Sequence, residues 1–224
     1  MNTHLRRAFL VITPLALAVL LTYHPAGGDP VYEGVSPDAD AWLAVHVGLL
    51  PFLALLPLAV YQLLRGLHGR AATVSRVALV PFMVFYTFWE TIAGVATGVL
   101  ARYANGLPAA DRAPVADAIQ ELNRNWLIGD PSLFGAFGAI GWIVAAIAAA
   151  FALRRAGVGQ GAVLLIGFSS LFVVHPPPVG PLALVSFAAG ALIVERRRRA
   201  LAADQGITTV VLNGRTKNGP KTVA

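Results

Sequence analysis

Six long apolar stretches alternate with short polar segments along the chain. An α-helix needs about 20 apolar residues to cross a bilayer, and the stretches are close to or above that length except for the last two, which are shorter. We therefore predict an all-α fold, a polytopic integral membrane helix bundle with six transmembrane helices in one domain, residues 1–199. The predicted spans are 5–23, 42–64, 77–101, 133–153, 158–175 and 179–194.

Two of these spans leave alternatives open. Residues 158–175 would rise about 27 Å as a helix and residues 179–194 about 24 Å, against a hydrocarbon core of about 30 Å. They could form a re-entrant hairpin, which would bring His175 to mid-membrane depth, although we favour two complete spans. The first span, residues 5–23, could be a cleaved secretory signal, but it lacks a clear cleavage site and we favour its retention.

Two segments lie outside the predicted spans. Between the third and fourth spans, Val115, Ile119, Leu122 and Trp126 recur at helical spacing. This spacing predicts a short amphipathic helix on the outer membrane surface. Residues 200–224 are polar, so we predict a disordered cytoplasmic tail.

The distribution of charge predicts how the chain is oriented. With both termini placed in the cytoplasm, 14 of the 17 Lys and Arg residues lie on the cytoplasmic side, and the exceptions are Arg102, Arg112 and Arg124. The positive-inside rule favours this topology at the cell (inner) membrane. The topology also explains the net charge of +6 without a nucleic-acid partner. There is no cysteine, which excludes disulfides, thiolate metal sites and cysteine nucleophiles.

The third span contains one carboxylate, Glu90, near its middle. Glu90 shares a helix face with the small residues Gly94 and Gly98, whereas Phe88 and Ile92 lie on the apolar face. The two glycines are four residues apart, a spacing that lets another helix approach closely. We therefore expect Glu90 to face the bundle interior. An ionisable residue inside a membrane is by default a functional hypothesis.

Three histidines lie towards the predicted outer side: His24 ends the first span, His46 follows the start of the second, and His175 ends the fifth. Glu90 and His46 are the predicted ligand or proton site, with His24 and His175 at its rim. These residues could hold a divalent metal or haem. No two of the histidines form a local metal motif, so helix capping remains an alternative for His24 and His175. Helical rise places Glu90 and His46 about 10 Å apart in depth, which suggests a connection through water or a ligand.

Three functions are compatible with these patterns. The first is a binding or transport protein with an outward-opening polar site for a cation, a proton-coupled solute or haem. The second is a structural or accessory subunit that docks on a membrane-protein partner, or on a second copy, through the face of Gly94 and Gly98. An intramembrane metal-dependent enzyme ranks third, because the sequence has no H-E-x-x-H or G-x-S-x-G motif. Membrane lipid is the partner common to all three.

Overall fold

The computed structural model describes the backbone of residues 3–216 and the side chains of residues 4–200. Every regular element in this part of the chain is helical. The α-helices are α1 (Thr3–Thr22), α2 (Val31–Val35), α3 (Ala39–Leu63), α4 (Arg70–Pro81), α5 (Thr87–Trp89), α6 (Thr97–Asn105), α7 (Ala113–Arg124), α8 (Leu133–Arg155), α9 (Gln160–Phe168) and α10 (Val179–Thr216). The all-α prediction is therefore confirmed for the described residues.

Five helices in the described part of the chain are long and apolar enough to cross a membrane. They are His4–Thr22, Val31–Leu63, Arg70–Asn105, Leu133–Arg155 and Val179–Ala200. The remaining apolar helix, Gln160–Val173, is shorter, so the six-span count and the choice between a span and a hairpin stay predictions. Helix α10 extends into the predicted tail as far as Thr216. Residues 217–224 lie outside the described part of the chain, so the disorder predicted for the tail stays a prediction.

The third predicted span lies in one continuous helix, Arg70–Asn105, which we call the central helix. It contains two π-helical segments, Phe82–Tyr86 and Glu90–Ala96, joined by the single turn of α5. Such widened turns are rare and often occur at functional sites. Glu90 begins the second π-helical segment, at the point where α3 packs against the central helix.

Small residues allow the helices to approach closely. Helix α8 is rich in alanine and glycine and packs along α4, while α1 packs against both α3 and α10. A Cβ added to Gly138 would lie 2.5 Å from the backbone nitrogen of Tyr86, so contact here depends on glycine. The ring of Trp142 in α8 packs on Phe82 of the central helix and on Phe172, which follows α9.

The connections 24–30, 106–132 and 174–178 lie together at one end of the bundle, which we call the loop end. This is the end predicted to face outward. The expected amphipathic helix forms as α7, with Pro114 in its first turn, and it buries Ile119 beside Val35 and Ala101. Its position on a membrane surface remains a prediction, and it forms one wall of the site described next.

Candidate metal centre

Three histidines from distant parts of the chain meet at the loop end. His24 follows α1, His46 lies in the second turn of α3, and His175 lies between α9 and α10. One ring nitrogen of each lies within 4.8 Å of the other two. His24 packs edge to face on both partners, with 4.9 Å between ring centroids in each pair. The fold thus brings the predicted site residue His46 together with both predicted rim residues.

Hydrogen bonds fix the orientation of each ring. The Nδ1 atom of His24 lies 2.7 Å from the carbonyl oxygen of Pro25, and that of His46 lies 2.7 Å from the carbonyl oxygen of Trp42. Since a carbonyl oxygen only accepts, both Nδ1 atoms carry the proton and both Nε2 atoms keep a free lone pair. The Nε2 atom of His24 is buried and has no hydrogen-bond partner in the described part of the chain.

His175 is held in a comparable way. Its Nδ1 atom lies 3.1 Å from the hydroxyl oxygen of Tyr86, which is also 3.4 Å from the carbonyl oxygen of Val173. Tyr86 can therefore donate to Val173 and accept from His175, leaving the Nε2 of His175 free. Metal-bound histidines nearly always have their second nitrogen hydrogen-bonded in this manner.

Glu90 lies beside the histidines and is 2% exposed. Its Oε2 atom is 3.8 Å from the Nε2 of His46, and its Oε1 atom is 3.7 Å from the Nδ1 of His175. The Oε1 atom is buried without a hydrogen-bond partner among the described residues. A buried carboxylate oxygen is costly to leave unsatisfied, so this atom indicates that the site takes a further group.

The expected 10 Å offset in depth between Glu90 and His46 is wrong, because these side chains are within direct reach of each other. His175 lies as close to Glu90 as His46 does. Helix α3 is set against the central helix with His46 beside Gly94 and Trp42 beside Gly98. Glu90 therefore lies only one helical turn, about 6 Å, from the level of His46, and its side chain spans that distance.

Helix α3 covers the Gly94 and Gly98 face from within the same chain. A Cβ added to Gly94 would lie 2.6 Å from the Cγ of His46, and one added to Gly98 would lie 2.9 Å from the Cδ1 of Trp42. The Nε1 atom of Trp42 also donates to the carbonyl oxygen of Gly94 at 2.9 Å. The absence of a side chain at Gly94 therefore makes room for the metal-binding candidate His46.

A cavity of about 510 Å³ opens from these residues towards the loop end. Polar groups from two connections and from α7 line its outer part: Asp29, Gln120, Asn123, Arg124 and Asp130. The indole rings of Trp42 and Trp89 also line the cavity. Tyr86, which contacts His175, packs on Phe82 and Phe172 with ring centroids 5.2 and 6.2 Å apart.

Sequence reasoning gave no site role to Trp42, Tyr86 or Asp130. Tyr86 lies four residues before Glu90 and so shares a helix face with it, and this spacing was the available signal. Nothing in the sequence indicates that Tyr86 would reach His175, which is 89 residues away. The role of Trp42 as acceptor for His46 follows from helical spacing, because it lies one turn earlier.

Burial also affects the protonation of His24, which lies outside the predicted spans. It lowers the pKa of His24, an effect partly offset by the hydrogen bond to Pro25. The lower pKa favours the neutral imidazole, which is the form that binds metal ions.

Comparison with protein-family models, with curated proteins and with solved structures finds no match. The class of the protein therefore rests on the fold and the site. The chain is a polytopic helical membrane protein with a buried polar cluster formed by His24, His46, His175 and Glu90.

Proposed function

We propose that this integral membrane protein binds a divalent transition metal ion, with Zn²⁺ the best fit, at His24, His46 and His175. One observation carries the proposal: three imidazoles converge, and hydrogen bonds leave the Nε2 atom of each free to bind. Neutral imidazole is a preferred ligand of Zn²⁺, and three histidines with one open position form a known zinc arrangement.

The geometry is close to what a single ion requires. In a tetrahedral site with Zn–N bonds of about 2.0–2.1 Å, ligand nitrogens lie about 3.4 Å apart. The histidine nitrogens lie within 4.8 Å of one another, so inward movements on the order of 1 Å would complete the site. His24 is only half-buried and lies at the cavity, which gives an ion a path of entry.

Haem fits these residues less well. A haem iron takes one or two axial protein ligands and requires a flat slot for the macrocycle. Here the ring of His24 packs directly on those of His46 and His175, with centroids 4.9 Å apart, and this packing leaves no slot between the rings. The arrangement thus favours a bare ion over haem.

Binding is better supported than transport. A transported cation or proton would need a polar path from Glu90 to the opposite end of the bundle. Among the described side chains, the next buried ionisable group is Glu195, which is already paired with Arg6 and Arg198. Tyr86 packs on the apolar rings of Phe82 and Phe172, which do not provide a polar path for an ion or a proton.

The accessory-subunit alternative loses its proposed docking face. The Gly94 and Gly98 surface is occupied by α3 of the same chain, so it does not favour a membrane-protein partner or a second copy. Contact with lipid follows from the apolar helices. We place the protein in the cell membrane with both termini in the cytoplasm, on the charge distribution alone.

Elemental analysis of the purified full-length chain tests the proposal. The protein is expressed with an affinity tag that contains no histidine, extracted in mild detergent, incubated with Zn²⁺ and freed of unbound ion by gel filtration. We expect about one zinc per chain, since the three histidines define a single site. His46→Gln should lose this zinc, whereas His68→Gln, an exposed histidine in a polar loop, should retain it.

Two results would contradict metal binding. One is a wild-type protein that elutes as a single folded species yet holds no more zinc than His46→Gln. The other is equal zinc loss from His68→Gln and His46→Gln, which would mean that the ion binds histidines at the surface.

A further inference from the structure

The position of Glu90 suggests that the metal site performs a reaction. Three protein ligands leave the fourth position of a tetrahedral zinc open, which distinguishes catalytic from structural zinc sites. A closed structural site needs no adjoining space. Here the histidines face a cavity of about 510 Å³, a size typical of small-molecule sites.

Glu90 is placed to receive a proton from a water molecule in that fourth position. Its Oε2 atom is 3.8 Å from one candidate ligand nitrogen, and its buried Oε1 atom has no partner among the described residues. A metal-bound water would lie between the ion and the carboxylate and would supply the missing hydrogen bond. Zinc lowers the pKa of bound water to about 7, so a nearby carboxylate can take its proton.

We infer that the protein is a metal-dependent hydrolase of carboxylic esters or amides, with Glu90 as the general base. This inference rests on the proposed metal site. The water oxygen forms a bond to the carbonyl carbon while one water proton passes to Glu90. The bond from that carbon to the leaving oxygen or nitrogen then breaks, and Glu90 returns the proton to the leaving group. The products are a carboxylic acid and an alcohol or amine.

The cavity limits the class of substrate. Its lining includes the polar side chains of Asp29, Gln120 and Asn123 and the indole rings of Trp42 and Trp89. A compact substrate with a polar end fits this lining, with its carbonyl group at the histidines. The carbonyl could belong to a soluble ester or to a lipid whose polar end enters from the loop end. Hydrolysis follows the same steps for a soluble ester and for a lipid ester, and the experiment distinguishes these two substrates.

The test uses the full-length, zinc-loaded protein and two probes. Release of p-nitrophenol from p-nitrophenyl acetate reports a soluble ester, and release of fatty acid from phosphatidylcholine vesicles reports a lipid ester. The variants are Glu90→Gln and His46→Gln, with His68→Gln as the matched control. Zinc content is measured on every sample, because it reports the proposed function independently of hydrolysis.

We expect zinc-dependent hydrolysis of at least one probe by the wild type and by His68→Gln. Glu90→Gln should retain its zinc and lose about 10²–10⁴-fold in rate, the usual contribution of a general base. His46→Gln should lose both zinc and hydrolysis.

Three outcomes would overturn the inference. If the zinc-loaded wild type hydrolyses both probes no faster than Glu90→Gln, the site binds metal without hydrolysis, and only the proposed function stands. If Glu90→Gln loses its zinc, Glu90 is a fourth ligand and not the base. If the wild type holds no zinc, the proposed function fails together with this inference.

Discussion

Replacing Gly94 by alanine should disturb the metal site through His46. The added Cβ would lie 2.6 Å from the Cγ and 3.0 Å from the Cβ of His46, whereas carbon atoms in contact prefer about 3.5–4.0 Å. The imidazole must therefore recede by about 1 Å. It cannot do so freely, because it stacks on Trp42 at 4.4 Å between centroids and is hydrogen-bonded to the backbone of that residue.

The size of the effect follows from this geometry. Metal-binding groups must be held within about 0.5 Å of the productive position, so a shift of this size should weaken Zn²⁺ binding about 10–100-fold. Overpacking of the helix contact should also lower the free energy of unfolding by about 1–3 kcal/mol. Competition with a chromophoric zinc chelator measures the affinity, and thermal unfolding in detergent measures the stability.

Gly161→Ala is the matched control. Gly161 lies in α9 and has no atom within 4 Å of an added Cβ, so its replacement should leave zinc affinity unchanged. Alanine is the better helix former by about 1 kcal/mol, so the control should be no less stable than the wild type. If Gly94→Ala binds zinc as tightly as the wild type, His46 is not a ligand held by this contact and the reasoning is refuted.

Three further predictions concern Tyr86, Glu195 and the membrane topology. Tyr86→Phe removes the hydroxyl that orients His175 and should weaken zinc binding about tenfold. The control Tyr103→Phe, at an exposed tyrosine, should leave zinc binding unchanged. Equal zinc affinities of the two variants in the chelator titration would contradict this prediction. Glu195→Gln loses charged hydrogen bonds to two arginines and should lower the free energy of unfolding by about 2 kcal/mol. Its zinc content should not change. An unfolding temperature equal to that of the wild type would contradict this prediction. Reporter fusions after Arg155 should read cytoplasmic and one after Asp117 external; a cytoplasmic signal at Asp117 would reverse the topology.

The sequence predicted the parts of the fold that depend on local pattern. Apolar stretches gave the long helices, and the two faces of the third span indicated that Glu90 turns inward, where the structure has it 2% exposed. The spacing from Val115 to Trp126 gave α7. Each of these features depends on residues that are close in the chain.

The sequence placed the three histidines towards the same side of the membrane, but their direct contact could not be predicted, because His24, His46 and His175 come from distant parts of the chain and share no motif. Their contact depends on the close approach of α3 to the central helix at Gly94. The same packing places Glu90 one helical turn from the level of His46, so the two side chains meet directly although helical rise from the apolar ends placed them at different depths. The enzyme hypothesis ranked last from sequence because no catalytic motif is present.

X-ray absorption at the zinc edge of the purified, zinc-loaded protein tests the central claim most directly. The account predicts a shell of three imidazole nitrogens at about 2.0–2.1 Å, completed by one oxygen ligand in the fourth position. A zinc shell of oxygen atoms without imidazole scattering, or a protein that holds no zinc after gel filtration, would contradict a metal centre at His24, His46 and His175.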